Sequence, residues 1–195
     1  MEFKLKGGVL IIGSLYWQDH RDDAGIDTIR KDWRTQELMM TSAIDVKLPI
    51  KYGRFSRDKI YTMIFDNQLL ETHFGVGKAV PFSNKIFRDF NQIKEKVGTL
   101  SNVEGRHDST FIKGQNDISK AWCVCGIMFN PNIEKSVKSY LLDKWERELR
   151  VNNAGYEKFI GDTEKYSLSK QGELLIHWPK NATEFDFLIA TSTQP

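Results

Sequence analysis

Hydrophobic residues follow several rhythms along this chain, and each rhythm predicts an element. Short continuous apolar runs predict buried strands. One lies at Val9 to Ile12, and two more are "AWCVCGIMF" and "FDFLIAT" near the end. The first of these late runs has so little alternation that both its faces are expected to be covered. In "AIDVKLPIKYGRFS", Val46, Leu48 and Ile50 alternate with polar residues, the signature of a half-buried strand. "KIYTMIF" and "GVGKAVPF" extend this strand-rich stretch, with a bend or bulge expected at Pro49 and Gly53.

Helical spacing appears three times. Ile29 and Trp33 lie four apart behind a capping Asp27. "NKIFRDFNQIKEKVG" carries Ile86, Phe87, Phe90, Ile93 and Val97 on one stripe, with Ser83 as its cap and Gly98 as its stop. The clearest helix is "NPNIEKSVKSYLLDKWERELRVNNAG". Ile133, Val137, Leu141, Trp145 and Leu149 recur every four residues between an Asn130 or Asn132 cap and a stop at Asn152, Asn153 and Gly155. A further late strand is expected at "ELLIHW". The polar stretch 100–119 has no period and predicts a loop or the edge of an insertion. Strands and helices mix without regular βαβ alternation, so the expected class is α+β rather than a doubly wound sheet.

The 195 residues suit a single domain with a core large enough to need no staples. A net charge of +2 creates no strong field, so neither a nucleic-acid nor a membrane partner is expected. The N-terminal apolar run is too short for a signal segment, and nothing approaches the roughly 20 apolar residues of a membrane helix. Cys123 and Cys125 are the only cysteines and sit two apart on one strand. They read as small core hydrophobes without the further ligands a metal needs, and a cytoplasmic setting is expected. Histidines 20, 73, 107 and 177 are scattered, and no Gly-rich nucleotide loop or nucleophile elbow occurs.

Two stretches carry candidate chemistry. In "IIGSLYWQ" the first strand ends on Gly13 and Ser14, with Leu15, Tyr16 and Trp17 beyond. Such a turn offers backbone N–H groups and a hydroxyl to a ligand, walled by the large residues, or else simply re-enters the core. In "SYLLDKWERELR", Leu141, Leu142, Trp145 and Leu149 centre an apolar face, and Glu146 falls roughly 85° from that centre. A boundary carboxylate there serves either as a general base over a pocket or as one member of a surface salt bridge.

Together, in this order and spacing, Gly13-Ser14-Leu15, the strand "AWCVCGIMF" and Leu142-Asp143-Lys144-Trp145-Glu146 resemble the γ-glutamylcyclotransferase-like superfamily. That family has a Tyr-Gly-Ser motif with a nearby Leu after its first strand. Its Leu-Asp-x-x-Glu motif lies on a helix and carries the catalytic acid. Ile12 stands where the motif has Tyr, and Arg147 follows the acid where the family has a small residue. The resemblance implies a mixed, barrel-like sheet with flanking helices, spanning 1–195 with an insertion around 82–120. It implies cyclisation of a small γ-glutamyl amide or peptide to 5-oxoproline and a free amine, without metal or organic cofactor. Glu146 would move the proton and the groups at Gly13, Ser14 and Leu15 would hold the substrate. A non-catalytic binding protein on the same fold is the alternative. Tyr52 and Arg54 in "YGRFS" alternate with Ser56 on one strand face. Arg54 pairs there with a substrate carboxylate or with an acidic side chain.

Overall fold

The computed structural model describes residues 1–20, 27–55, 61–84, 86–104, 112–113, 123–152, 159–161 and 166–193. Its strands are β1 (Gly7–Ile11), β2 (Ile44–Leu48), β3 (Ile50–Phe55), β4 (Tyr61–Phe65), β5 (Gly75–Pro81), β6 (Ile112–Lys113), β7 (Cys123–Phe129) and β8 (Phe187–Ser192). Its helices are α1 (Ile29–Glu37), α2 (Phe90–Glu104) and α3 (Lys135–Asn152). The expected α+β class is observed.

Six strands form one sheet in the order β2-β5-β1-β8-β7-β6, and β3 and β4 form a separate two-stranded sheet. The larger sheet is mixed, because β1 runs parallel to β8 and antiparallel to β5. It is open, with β2 and β6 at its edges, and no closed barrel is formed among the described residues. The continuous apolar runs of β1 and β7 are buried at every position. Cys123 and Cys125 lie inside β7, as small core residues do.

Pro49 separates β2 from β3, and the chain leaves the main sheet there. The Pro49 carbonyl accepts the Asp66 N–H at 2.7 Å, closing the base of the β3–β4 hairpin. A bulge falls between Tyr52 and Arg54. It interrupts the alternation that had assigned these two residues to one face, because an extra residue reverses the phase of the strand. Ser56, the third member of that set, lies outside the described residues.

The second helix differs from expectation at both ends. Both Ser83, in a bend, and Phe87, which pairs with Leu5 in an isolated bridge, precede it. The cap is Asp89, whose carboxylate accepts the Gln92 N–H at 3.1 Å, while Gln92 Oε1 accepts the Arg88 N–H at 2.8 Å. This reciprocal pairing resembles a capping box and is readable in "DFNQ". Gly98 lies within the helix rather than after it. A glycine there costs about 1 kcal/mol, but burying Leu100 and Val103 beyond it outweighs that. With Phe90, Ile93 and Val97 these residues belong to the main core, so this part of the expected 82–120 insertion is built into the domain.

The third helix follows its four-residue spacing closely, with Val137, Leu141, Trp145 and Leu149 buried. The Trp145 indole donates to the Cys125 carbonyl at 3.2 Å and packs edge-on to Phe90. "ELLIHW" forms no strand. Glu173 and Leu174 make single bridges to Ile127 and Leu168 after a turn in which Gly172 takes φ 82°. Pro179, which cannot donate a ladder hydrogen bond, follows shortly after. Among the described residues no helix is long and apolar enough to cross a membrane.

Candidate functional site

The strand β1 ends where the sequence suggested, and residues Gly13–Tyr16 then make a single 3-10 turn. Gly13 has φ 79°, in the left-handed region that side-chain-bearing residues rarely enter. A Cβ there would meet nothing within 4 Å, so the space beside this glycine is open. Ser14 is exposed, and its carbonyl accepts the N–H groups of Trp17 and Gln18 at 3.1 and 2.8 Å. Leu15 is buried and Tyr16 packs against the core, but Trp17 is 64% exposed.

The turn is held from two sides. Arg34 of α1 is buried and donates to the carbonyls of Leu15 and Gln18, each at 2.8 Å, and pairs with Asp19. On the other side Lys78 of β5 lies 5.1 Å from the Tyr16 ring centre and pairs with Asp45, which raises the Lys78 pKa above the usual lysine value. Arg34 escaped the sequence reading, because a charged residue beside Trp33 on a nine-residue helix reads as solvent-facing. Its burial is explained by the two carbonyls and the carboxylate that it satisfies.

A second polar group adjoins the turn. Arg30 of α1 donates to Gln18 Oε1 at 2.6 Å and to the Val103 carbonyl at 3.5 Å. The next residue, Glu104, is the last described residue of α2, and its carboxylate accepts the Thr191 hydroxyl at 2.9 Å. Burial pushes the Glu104 carboxyl above the usual glutamate range, against the pull of Arg30's charge and the Thr191 hydrogen bond. Arg30, Gln18, Glu104 and Thr191 thus gather near the carboxyl end of the parallel pair β1 and β8. Sequence reasoning missed Glu104 because it lies beyond Gly98, where the helix was expected to have stopped.

The other expected site residues lie on α3 and β3. Glu146 occupies the boundary position its helical angle implied, with its side chain 23% exposed. It accepts both Arg150 Nε and Arg150 Nη2, at 2.9 and 2.6 Å, and no described contact links it to Gly13, Ser14 or Leu15. Tyr52 and Arg54 lie on the β3–β4 hairpin, where Tyr52 is 66% exposed. His107 and the stretch 105–111 fall outside the described residues. Among the described residues no three His, Cys, Asp or Glu side chains gather in a way that could hold a metal ion.

No family model, characterised protein or solved structure matches this chain. The chemistry therefore follows from the site itself. It offers an open space at a strand-end glycine, a hydroxyl at Ser14, and a half-buried carboxyl beside a guanidinium. Such a group suits a small ligand carrying both an amine or ammonium and a carboxylate.

Proposed function

We propose that this protein is a γ-glutamylcyclotransferase-like enzyme that converts a small γ-glutamyl amide or peptide to 5-oxoproline and a free amine. The observation that carries the reading is the turn at Gly13, Ser14 and Leu15. It follows the central strand, it has a positive-φ glycine with open space beside it, and the residue after its serine is anchored in the core. The sheet is read as the opened counterpart of that family's barrel-like sheet, in a reducing, cytoplasmic setting.

The reaction is intramolecular. The α-amine of the glutamyl group attacks its own γ-carbonyl, so holding the chain in a folded conformation supplies much of the rate. Donors must stabilise the developing oxyanion, and the Ser14 hydroxyl is available at the turn. One acidic group must then carry a proton from the attacking nitrogen to the leaving one.

A second reading has its own support. The pairing of Glu146 with Arg150 leaves the acid named by the resemblance engaged on its own helix, which suits a binding protein without turnover. Release of 5-oxoproline from a panel of γ-glutamyl amines and peptides separates the two. Turnover that Ser14→Ala weakens supports the enzyme. Saturable binding of the same compounds without release supports the binding protein.

A further inference from the structure

The ladder between β1 and β8 pairs Gly7 with Phe187, Gly8 with Leu188 and Val9 with Ile189. Past the last of these pairs β8 runs on to Thr191, whose hydroxyl donates to the Glu104 carboxylate at 2.9 Å, and β1 runs on to the turn at Gly13. Arg30 of α1 links the two: its charge acts on the Glu104 carboxyl, and its guanidinium donates to the side chain of Gln18, whose N–H donates to the Ser14 carbonyl at 2.8 Å.

We propose that Glu104 is the proton-transferring acid of this site, acting on a glutamyl substrate held between its carboxyl and the Gly13–Leu15 turn. The chemistry of this assignment rests on the cyclotransferase reading. Two observations converge on it. Glu104 is joined to the turn through Arg30 and Gln18, whereas among the described residues Glu146 pairs with Arg150 on its own helix. Burial also raises the pKa of the Glu104 carboxyl, which makes it a better proton acceptor.

The step balances with this one residue. The neutral α-amine forms a C–N bond to the γ-carbonyl carbon, and its proton passes to the Glu104 carboxylate. The tetrahedral carbon then collapses and the original amide C–N bond breaks. The leaving nitrogen takes the proton back from Glu104, which returns to its starting form. Thr191 and Arg30 position the carboxyl.

The experiment compares 5-oxoproline release by wild type, Glu104→Gln, Thr191→Val, Thr191→Ser and Glu146→Gln. Glu104→Gln is expected to lower kcat at least ~100-fold with KM little changed, while Glu146→Gln keeps the wild-type rate. Thr191→Val is expected to lower kcat without raising KM, and Thr191→Ser to restore it. This pair carries the test if Glu104→Gln does not fold. Loss of turnover in Glu146→Gln with full turnover in Glu104→Gln overturns the assignment. A wild-type protein that releases no 5-oxoproline defeats the cyclotransferase reading itself. The site is then read from amide NMR shifts, with L-glutamate and 5-oxoproline as probes. Shifts at Ser14, Gln18 and Thr191 that vanish in Glu104→Gln uphold it as the ligand site. No shifts, or shifts confined to Glu146 and Arg150, overturn it.

Discussion

Glu104 of α2 has its carboxyl on the Thr191 hydroxyl of another element, whereas Glu146 of α3 turns to Arg150 on its own helix. The helices that carry them are neighbours, joined by the Phe90–Trp145 ring contact and by a Lys94–Glu148 ion pair at 2.7 Å. Their carboxylates nevertheless meet opposite surroundings. A glutamate with an arginine four residues on finds its partner locally, and such a pair contributes only about 0.3–0.5 kcal/mol. A carboxyl drawn against a strand end loses water and is tolerated because Thr191 and Arg30 compensate. Tertiary surroundings, rather than position on a helical wheel, therefore set the two carboxyls apart.

The comparison can be broken most forcefully at Arg34, which braces the turn beside the Glu104 group. Arg34→Ala leaves the Leu15 and Gln18 carbonyls without their donor and should lower unfolding stability by about 2–3 kcal/mol in urea titration. A loss below about 0.5 kcal/mol would show that the turn holds itself. Gly13→Ala should cost about 1–2 kcal/mol from backbone strain alone, since open space faces the new methyl group. Its Tm should fall while cysteine burial in β7, read by thiol labelling, stays unchanged.

Glu104 should leave a trace in the pH dependence of stability. Its folded pKa lies above the unfolded value, so the folded state binds the extra proton between the two. That contribution is complete below the unfolded glutamate pKa, about 4.3, and is lost as pH rises through the folded value. Stability of the wild type relative to Glu104→Gln should therefore decline as pH rises from 4 towards neutrality. A difference independent of pH would contradict the enclosure of this carboxyl. The smallest effect belongs to Glu146→Gln, which should change stability by no more than about 0.5 kcal/mol, and less in high salt.

Much of the fold was legible because it follows local periodicity. The all-buried runs of β1 and β7 and the four-residue spacing of α3 appear in the structure as the pattern implied. So do the break at Pro49 and the bulge beside Gly53. The Asp89–Gln92 cap was written in the chain but passed over in favour of Ser83, and Gly98 was given more stopping power than a residue flanked by buried apolar positions has. Of the candidate site, the turn at Gly13 was legible from its residue types. The arginines that hold it and the acid beside it were not, because Arg30, Arg34, Glu104 and Thr191 are brought together from separate elements.

By itself the amino-acid order determined which segments bury themselves, where the first strand turns, and which face of each helix is apolar. These properties depend on neighbours within about one or two turns of chain. The folded arrangement alone decided that β8 lies parallel beside β1 and that Glu104 meets Thr191 on another element while Glu146 meets Arg150 on its own helix. Desolvation and ion pairing depend on what surrounds a charge in space, and no local pattern records that.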